Sequence, residues 1–319
     1  MTALAGLLAM LLHLALLIAV APVLTGLVRL LKARMTGRQG PPLLQPWRDL
    51  QRLLRKQPVV AEGTSWLFRL APVVSLAATL AALALVPSFA LGMATAQGAD
   101  LFALAGLLAL SRAVTVLAAM DTGTAFGGIG ASRETAFAVF AEPALVLVIF
   151  TLALLAGTTN LDAIAGLIGS GALGLRVSMA LALVALAAVA TAETGRVPVD
   201  NPATHLELTM VHEAMVLEYS GRHLAMIECA AALKLLLWLS LLAVLFAPFG
   251  LASATGPTLL WLPAALIWLA KIAVLGAVLA GFETSRAKMR VFRVPEFLGV
   301  ALLLGLLAAI FLFVSQGFA

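Results

Sequence analysis

Between residues 193 and 218 lie the carboxylates Glu193, Asp200, Glu207, Glu213 and Glu218, together with His205 and His212. Imidazole titrates near neutral pH, and crowded carboxylates raise one another's pKa values, more so when partly buried. Such a cluster can pass protons, or hold a charge that answers a reaction next to it. The same residues also suit a solvated loop with local pairs such as Glu193 with Arg196. A zinc site from His205, His212 and Glu213 has no recognised ligand spacing behind it.

A second set of charges sits inside apolar runs: Arg112, Glu142, Glu228, Lys234 and Lys271, with Glu296 at the start of the last run. A charge at mid-bilayer costs about 3 kcal/mol on insertion scales, so each needs a partner or a polar channel. Glu228 and Lys234 are about 240° apart around a helix. They do not share a face, and each must look to another helix or another subunit. Taken with the acidic loop, these charges outline an ion path.

The elements that hold them follow from composition. Of 319 residues, 63% are hydrophobic and 11% charged, where soluble domains carry about 25% charged residues. Apolar runs of roughly twenty residues recur along the chain, each long enough to cross about 30 Å of hydrocarbon as a helix. The expected fold is all-α, one polytopic membrane domain over 1–319 with about eight transmembrane helices. The spans are expected near 3–31, 70–91, 101–120, 135–157, 176–192, 224–247, 258–281 and 295–317. The first run is apolar before it is basic, the reverse of a cleaved signal peptide, so 3–31 is expected to be retained.

Most of the 20 Lys and Arg fall in loops near 32–69, 121–134, 193–223 and 282–294 or at their borders. The alternate loops carry almost none. The positive-inside rule then places the basic loops in the cytoplasm and both termini outside, as in a bacterial or archaeal cytoplasmic (inner) membrane. Anionic headgroups account for much of the basic charge, and docking of a cytoplasmic partner is its added role. Residues 43–56 read as an amphipathic interfacial helix, with Leu43, Trp47, Leu50 and Leu54 on one side and Arg48, Arg52, Arg55 and Lys56 on the other.

Several chemistries find no seat. The single cysteine, Cys229, cannot form an intrachain disulfide or supply the thiolates of an iron–sulfur cluster. No phosphate loop is present, and the glycines of 123–130 follow a membrane span rather than a strand, which excludes a dinucleotide site. They read instead as a tight loop packed on a neighbouring protein. The positive charge is loop charge, so nucleic acid is not a partner. Catalytic, cofactor-binding and metal residues are not expected in this chain.

Three segments carry a resemblance: Arg38-Gln39-Gly40-Pro41; Asp121-Thr122-Gly123 through Gly130-Ala131-Ser132-Arg133-Glu134; and Glu193-Thr194-Gly195-Arg196-Val197-Pro198-Val199-Asp200 with Glu218-Tyr219-Ser220-Gly221. Over the whole chain the sequence resembles the H-subunit family of respiratory Complex I (NADH-quinone oxidoreductase). That family includes the equivalent subunits of formate hydrogenlyase and group 4 membrane-bound NiFe hydrogenases. The resemblance implies an anchor between a peripheral redox arm and a membrane arm, whose buried acids begin the path that couples electron transfer to proton or sodium translocation. By position, Glu193, Arg196, Asp200, Glu207 and Glu218 match the family's acidic loop, and Glu134 and Glu142 match acids around its fourth span. His205, His212, Glu213, Glu228, Lys234 and Lys271 complete the expected coupling set. Arg34, Arg38, Gln39, Gly40, Pro41, Asp121, Gly123, Arg133, Tyr219 and Arg222 are expected at partner interfaces.

The implied partners are hydrogenase large and small subunits, iron–sulfur proteins and antiporter-like membrane subunits. The NiFe centre and the iron–sulfur clusters belong to those partners. The loop departs from the Complex I pattern: Val199 replaces a Phe, Ala203 and His205 stand where acids are expected, and three extra residues between Glu207 and Glu218 bring in His212 and Glu213. This favours a subunit-4-like component of a formate hydrogenlyase or related group 4 hydrogenase. The alternatives are a quinone-site subunit of Complex I and, from another class, a stand-alone secondary transporter. The transporter lacks support from any visible inverted repeat.

Overall fold

The computed structural model describes residues 2–171, 176–200, 210–287 and 289–317. His205 and Glu207 lie outside the described residues. The described chain is helical apart from two two-residue strands. Its helices are α1 (Thr2–Met35), α2 (Gln45–Leu54), α3 (Trp66–Ala84), α4 (Leu101–Asp121), α5 (Ala125–Ala156) and α6 (Leu161–Gly169). They continue with α7 (Val177–Glu193), α8 (His212–Val216), α9 (Gly221–Phe246), α10 (Trp261–Ser285) and α11 (Val294–Gly317). Seven of these are long and apolar enough to cross a membrane. The eighth, α7, has 17 residues, at the short end of what spans about 30 Å.

The central element is α9, the most buried of the long helices, packed against α1, α2, α3, α7 and α10. Nearly every residue from Ala232 to Leu245 is enclosed, as a helix apolar on all sides requires. Around it, α3 pairs with α4, α5 with α4, α7 and α11, and α1 with α10. The expected amphipathic helix is α2, and it buries Pro46 and Leu50. At 34 residues, α1 is about 50 Å long and outruns the hydrocarbon, so the chain can fold back along it. Gly26 makes room for that return, because a Cβ there would sit 2.1 Å from the Leu43 carbonyl oxygen. Trp47 then donates its indole N–H to the Ala19 carbonyl at 3.1 Å, in the turn that Pro22, with no N–H of its own, loosens.

Two expectations are corrected. The apolar run 70–91 is not one helix: α3 stops at Ala84, ahead of Pro87, because residues before a proline are pushed out of the helical region. The chain beyond the proline stays buried as strand β1 (Ala90–Leu91), paired in parallel with β2 (Ala252–Ser253). The glycine segment 125–134 is not a loop but the first turns of α5, whose start is capped by the Thr124 side chain accepting from Gly127 N at 3.2 Å. Its small residues admit neighbouring backbone: a Cβ on Gly127 would meet the Ala119 carbonyl at 2.4 Å, and one on Gly130 the Val211 carbonyl at 2.9 Å.

The end of the bundle away from the basic loops is stitched by polar contacts. Asp100 caps α4 through Phe102 N and Ala103 N and accepts from the Thr159 hydroxyl. This set of donors holds its carboxyl below the usual range, with Thr159 the largest cause. His13, fully buried, meets Ser88 Oγ at 2.6 Å and so ties α1 to the segment after α3.

Candidate functional site

Four helices, α4, α5, α7 and α9, bring charges together. Arg112 on α4 reaches Glu193 on α7 at 2.9 Å and Glu142 on α5 at 3.3 Å. Lys234 on α9 reaches the other oxygen of Glu193 at 2.8 Å. The Glu193 side chain is 4% exposed, whereas that of Glu142 is 49% exposed on the outer surface of the bundle. Two cations and two carboxylates therefore balance, as buried ion pairs must to offset desolvation. Lys234 finds its partner on another helix, as its angular distance from Glu228 requires.

This network walls a cavity of about 80 Å³, room for about two to three waters at ~30 Å³ each. Its floor is a hydroxyl cluster: Ser75 and Ser111 are 2.8 Å apart, and Thr79 lies 3.3 Å from Ser111. Ser75 and Thr79 on α3, and Ser111 and Thr115 on α4, are each four residues apart, so each pair shares a helix face. Glu134, Asp200 and His212 face the same space. Glu134 has no cation within ion-pair distance among the described residues.

Described residues on both sides of 201–209, among them Gly195, Val199, Asp200, Val211 and His212, line the cavity. Asp200 accepts from Val211 N at 3.2 Å and His212 N at 3.3 Å. Arg133 donates to the Met210 carbonyl at 2.8 Å. Arg196 does not pair with Glu193. It meets Glu283 at 3.4 Å, and Glu283, whose side chain is fully buried, also holds Lys32. Burial pushes the Arg196 guanidinium below its usual range, against the opposing pull of Glu283. Burial, helped by Lys234, likewise depresses the His212 imidazole. Glu213 is raised, chiefly by burial, with His212 pulling the other way.

The remaining expected residues divide. Glu228 is exposed and lines a separate cleft of about 220 Å³ between α1, α2 and α9, with Arg29, Asp49 and Arg52. Glu218, Arg222, Arg34, Arg38 and Gln39 are exposed. Gly40 packs against α1, where a Cβ would come within 2.8 Å of Leu30; Pro41 beside it is half-buried and Gly123 turns the chain with φ +63°. Tyr219 is buried inside the chain, stacked on Phe68 at 4.0 Å. Asp121 caps α3 by accepting from Ser65 N and Oγ at 2.7 and 2.9 Å. Tyr219 and Asp121 thus take part in this chain's own packing. Lys271 donates to the Ala247 carbonyl at 2.6 Å and to that of Phe249. Among the described residues, no group of three or more His, Cys, Asp or Glu converges on a metal position.

Sequence reasoning missed Glu283 and the hydroxyl cluster. Glu283 was legible only as a lone acid where an apolar run meets a basic segment. The hydroxyls carried a four-residue spacing in two adjacent spans.

A family profile described as NADH dehydrogenase matches residues 7–314. Formate hydrogenlyase subunit 4 of Escherichia coli (strain K12) is 34% identical over 282 residues, covering 88% of this chain and 90% of that protein. Hydrogenase-4 component C of the same organism is 36% identical over 236 residues, 74% of each chain. The H subunit of NADH-quinone oxidoreductase from Paraburkholderia xenovorans (strain LB400) is 27% identical over 255 residues, 74% of this chain and 70% of that protein. A chain of the membrane-bound sulfane sulfur reductase, an archaeal respiratory membrane complex, superposes with a TM-score of 0.79 over 96% of this chain and 98% of that one, at 21% identity. That superposition establishes a shared fold. With a profile match that runs nearly end to end and two relatives above 30% identity, the chain belongs to the NADH dehydrogenase family of membrane subunits.

Proposed function

We propose that this chain is the membrane anchor and coupling subunit of a multisubunit ion-translocating oxidoreductase of the formate hydrogenlyase or hydrogenase-4 type. The reading rests on one observation: Arg112, Glu193 and Lys234, charge-balanced by Glu142 on the outer side of Arg112, line a small cavity inside a bundle otherwise built of apolar helices. A stand-alone anchor would have no use for buried charges that cost about 3 kcal/mol each. Glu134 faces the same cavity without its own cation, so it is the carboxylate left to take up or release a proton. His212 and Asp200, at the loop end of the cavity, are placed to pass charge between that loop and the network. The higher identity to hydrogenase-type relatives than to the quinone-type relative favours a hydrogenase arm over a quinone-reducing one. The NiFe centre and the iron–sulfur clusters would then lie in the peripheral large, small and iron–sulfur subunits, with antiporter-like subunits beside this chain. Basic loops would face the cytoplasm and both termini the outside.

The test is a gentle isolation of the native complex, followed by Glu193→Gln and Glu134→Gln within it. A NiFe large subunit and iron–sulfur proteins should co-purify, and ion translocation should fall while hydrogenase turnover with an artificial electron carrier persists. A flavoprotein NADH-oxidising arm in the isolate sinks the hydrogenase assignment. Unchanged translocation in both variants removes the cavity from the path.

A further inference from the structure

α7 and α10 stand apart across α9, with Phe297 of α11 also facing the space between them. The groove they leave measures about 880 Å³ and is almost wholly carbon-lined. Its floor runs from Leu235 to Phe246 on α9, three turns or about 16 Å of helix. One wall ends in exposed Leu183 and Val184, and the other in Val274 and Val278, which are 61% and 62% exposed. Lys271 is the one ionisable side chain in its lining. That lysine is ten residues into α10, so about 15 Å from its first turn and near the middle of a roughly 30 Å core.

The ammonium is partly satisfied. It donates to two carbonyls just beyond the end of α9 and lies 4.1 Å from the Phe249 ring centroid. Carbonyls and a ring supply partial charge only, and no carboxylate among the described residues comes within ion-pair distance. A second group on the groove floor is also unmatched: the Trp238 indole N–H, buried and without an acceptor. Acyl chains could cover the carbon lining, but at this depth they offer Lys271 nothing but methylenes, and a lipid phosphate lies about 15 Å away. A helix covers the same carbon surface and can carry an acid at the right height.

We propose that this groove seats a transmembrane helix of a neighbouring membrane subunit, one that carries a carboxylate at mid-bilayer depth facing Lys271. The inference rests on the reading of this chain as part of a multisubunit membrane complex. An acid there completes a pair in a low-dielectric setting, where interhelical polar contacts help hold helices together.

The experiment places a photo-reactive residue at Val274 or Val278 in the intact complex in native membranes, with adducts identified by mass spectrometry. The expected adduct is to one transmembrane segment of a co-purifying subunit that contains Asp or Glu. Lys271→Met should lower its yield about tenfold, as 1.4 kcal/mol requires. Lys271→Arg should retain it, and Lys271→Glu should be rescued by Lys at the partner's acid. Lipid-only adducts, or a protein adduct with no acid in the captured segment, overturn the inference while leaving the anchor reading intact. If the chain purifies without partners, the anchor reading itself fails.

Discussion

Tyr219 donates its hydroxyl to the carbonyl oxygen of Phe68 at 2.9 Å. In an uninterrupted helix that carbonyl would pair with residue 72, but Pro72 has no N–H. One side chain from the far end of the acidic loop thus closes a gap that a proline opens in α3, while its ring stacks on the Phe68 ring at 4.0 Å. Burial also pushes the phenol above its usual range, so it stays a donor at every working pH. Tyr219→Phe should keep the stack and lose the bond, destabilising the fold by about 1–3 kcal/mol, the cost of a buried unsatisfied carbonyl. Thermal unfolding of the purified protein measures this, and Tyr219→Leu should cost more because the stack goes too.

Arg112 serves two carboxylates, so its loss should be felt more than that of either acid. Arg112→Met leaves the buried Glu193 with Lys234 alone, and removing one member of a buried ion pair costs about 3–5 kcal/mol. The double variant Arg112→Met/Glu142→Gln should be no worse than the single, because Glu142 has already lost its Arg112 partner in the single. Strictly additive losses in this double-mutant cycle would show that the two do not interact.

His212 gives the loop a pH dependence. An unfolded histidine binds a proton below about pH 6.5, whereas the folded one resists protonation because burial depresses it. The unfolded state therefore binds more protons below that pH, and the folded loop loses stability as pH falls from about 6.5. Glu213, raised by burial, acts in the opposite sense above the ordinary carboxylate range. Protection factors for amide hydrogen exchange over 210–219, corrected for the intrinsic pH dependence of exchange, should fall between pH 7 and pH 5, and His212→Gln should flatten that change.

Gly130 admits α8 against α5. Gly130→Ala would place a methyl 2.9 Å from the Val211 carbonyl and 3.0 Å from Ala214 Cβ, neither of which is a flexible tip. We expect a cost of about 1–3 kcal/mol for this overpacking, with faster hydrogen exchange in 210–216. Gly128→Ala is the control, since a methyl there meets open space.

Orientation can be read from two exposed positions. A cysteine at Phe292, 91% exposed beside the last basic segment, should react with an impermeant thiol reagent only from the cytoplasmic side. One at Leu259, 84% exposed before α10, should react only from outside. These should be made in a Cys229→Ala background, and the reverse pattern would invert the topology.

How much of this was legible along the chain depends on what each feature rests on. Hydropathy adds up residue by residue, so the all-α, membrane-spanning character and the amphipathic helix at 45–54 were written in the order of apolar and charged residues. Seven of the eight expected spans are helices long and apolar enough to cross a membrane, and α7 is shorter. The family was legible for the same reason, because its signature segments are contiguous. The errors arose where apolar character does not report backbone state. Residues 85–91 are apolar like α3, yet the helix ends at Ala84 and the chain goes on to pair as β1, and glycines at 127, 128 and 130 suggested a turn where small residues inside a helix accept close neighbours.

The ion pairs are a different matter. The acidic loop and the intramembrane charges marked which residues would need partners, but Glu193 paired with Arg112 and Lys234 rather than Arg196, and Arg196 turned to an unsuspected Glu283. Helices that are apolar on every side carry no periodic signal for their rotation or their height in the bundle. Which charge faces which therefore depends on packing between α4, α5, α7 and α9. The chain announces that its buried charges need partners; only the tertiary arrangement chooses them, and with them the cavity they line.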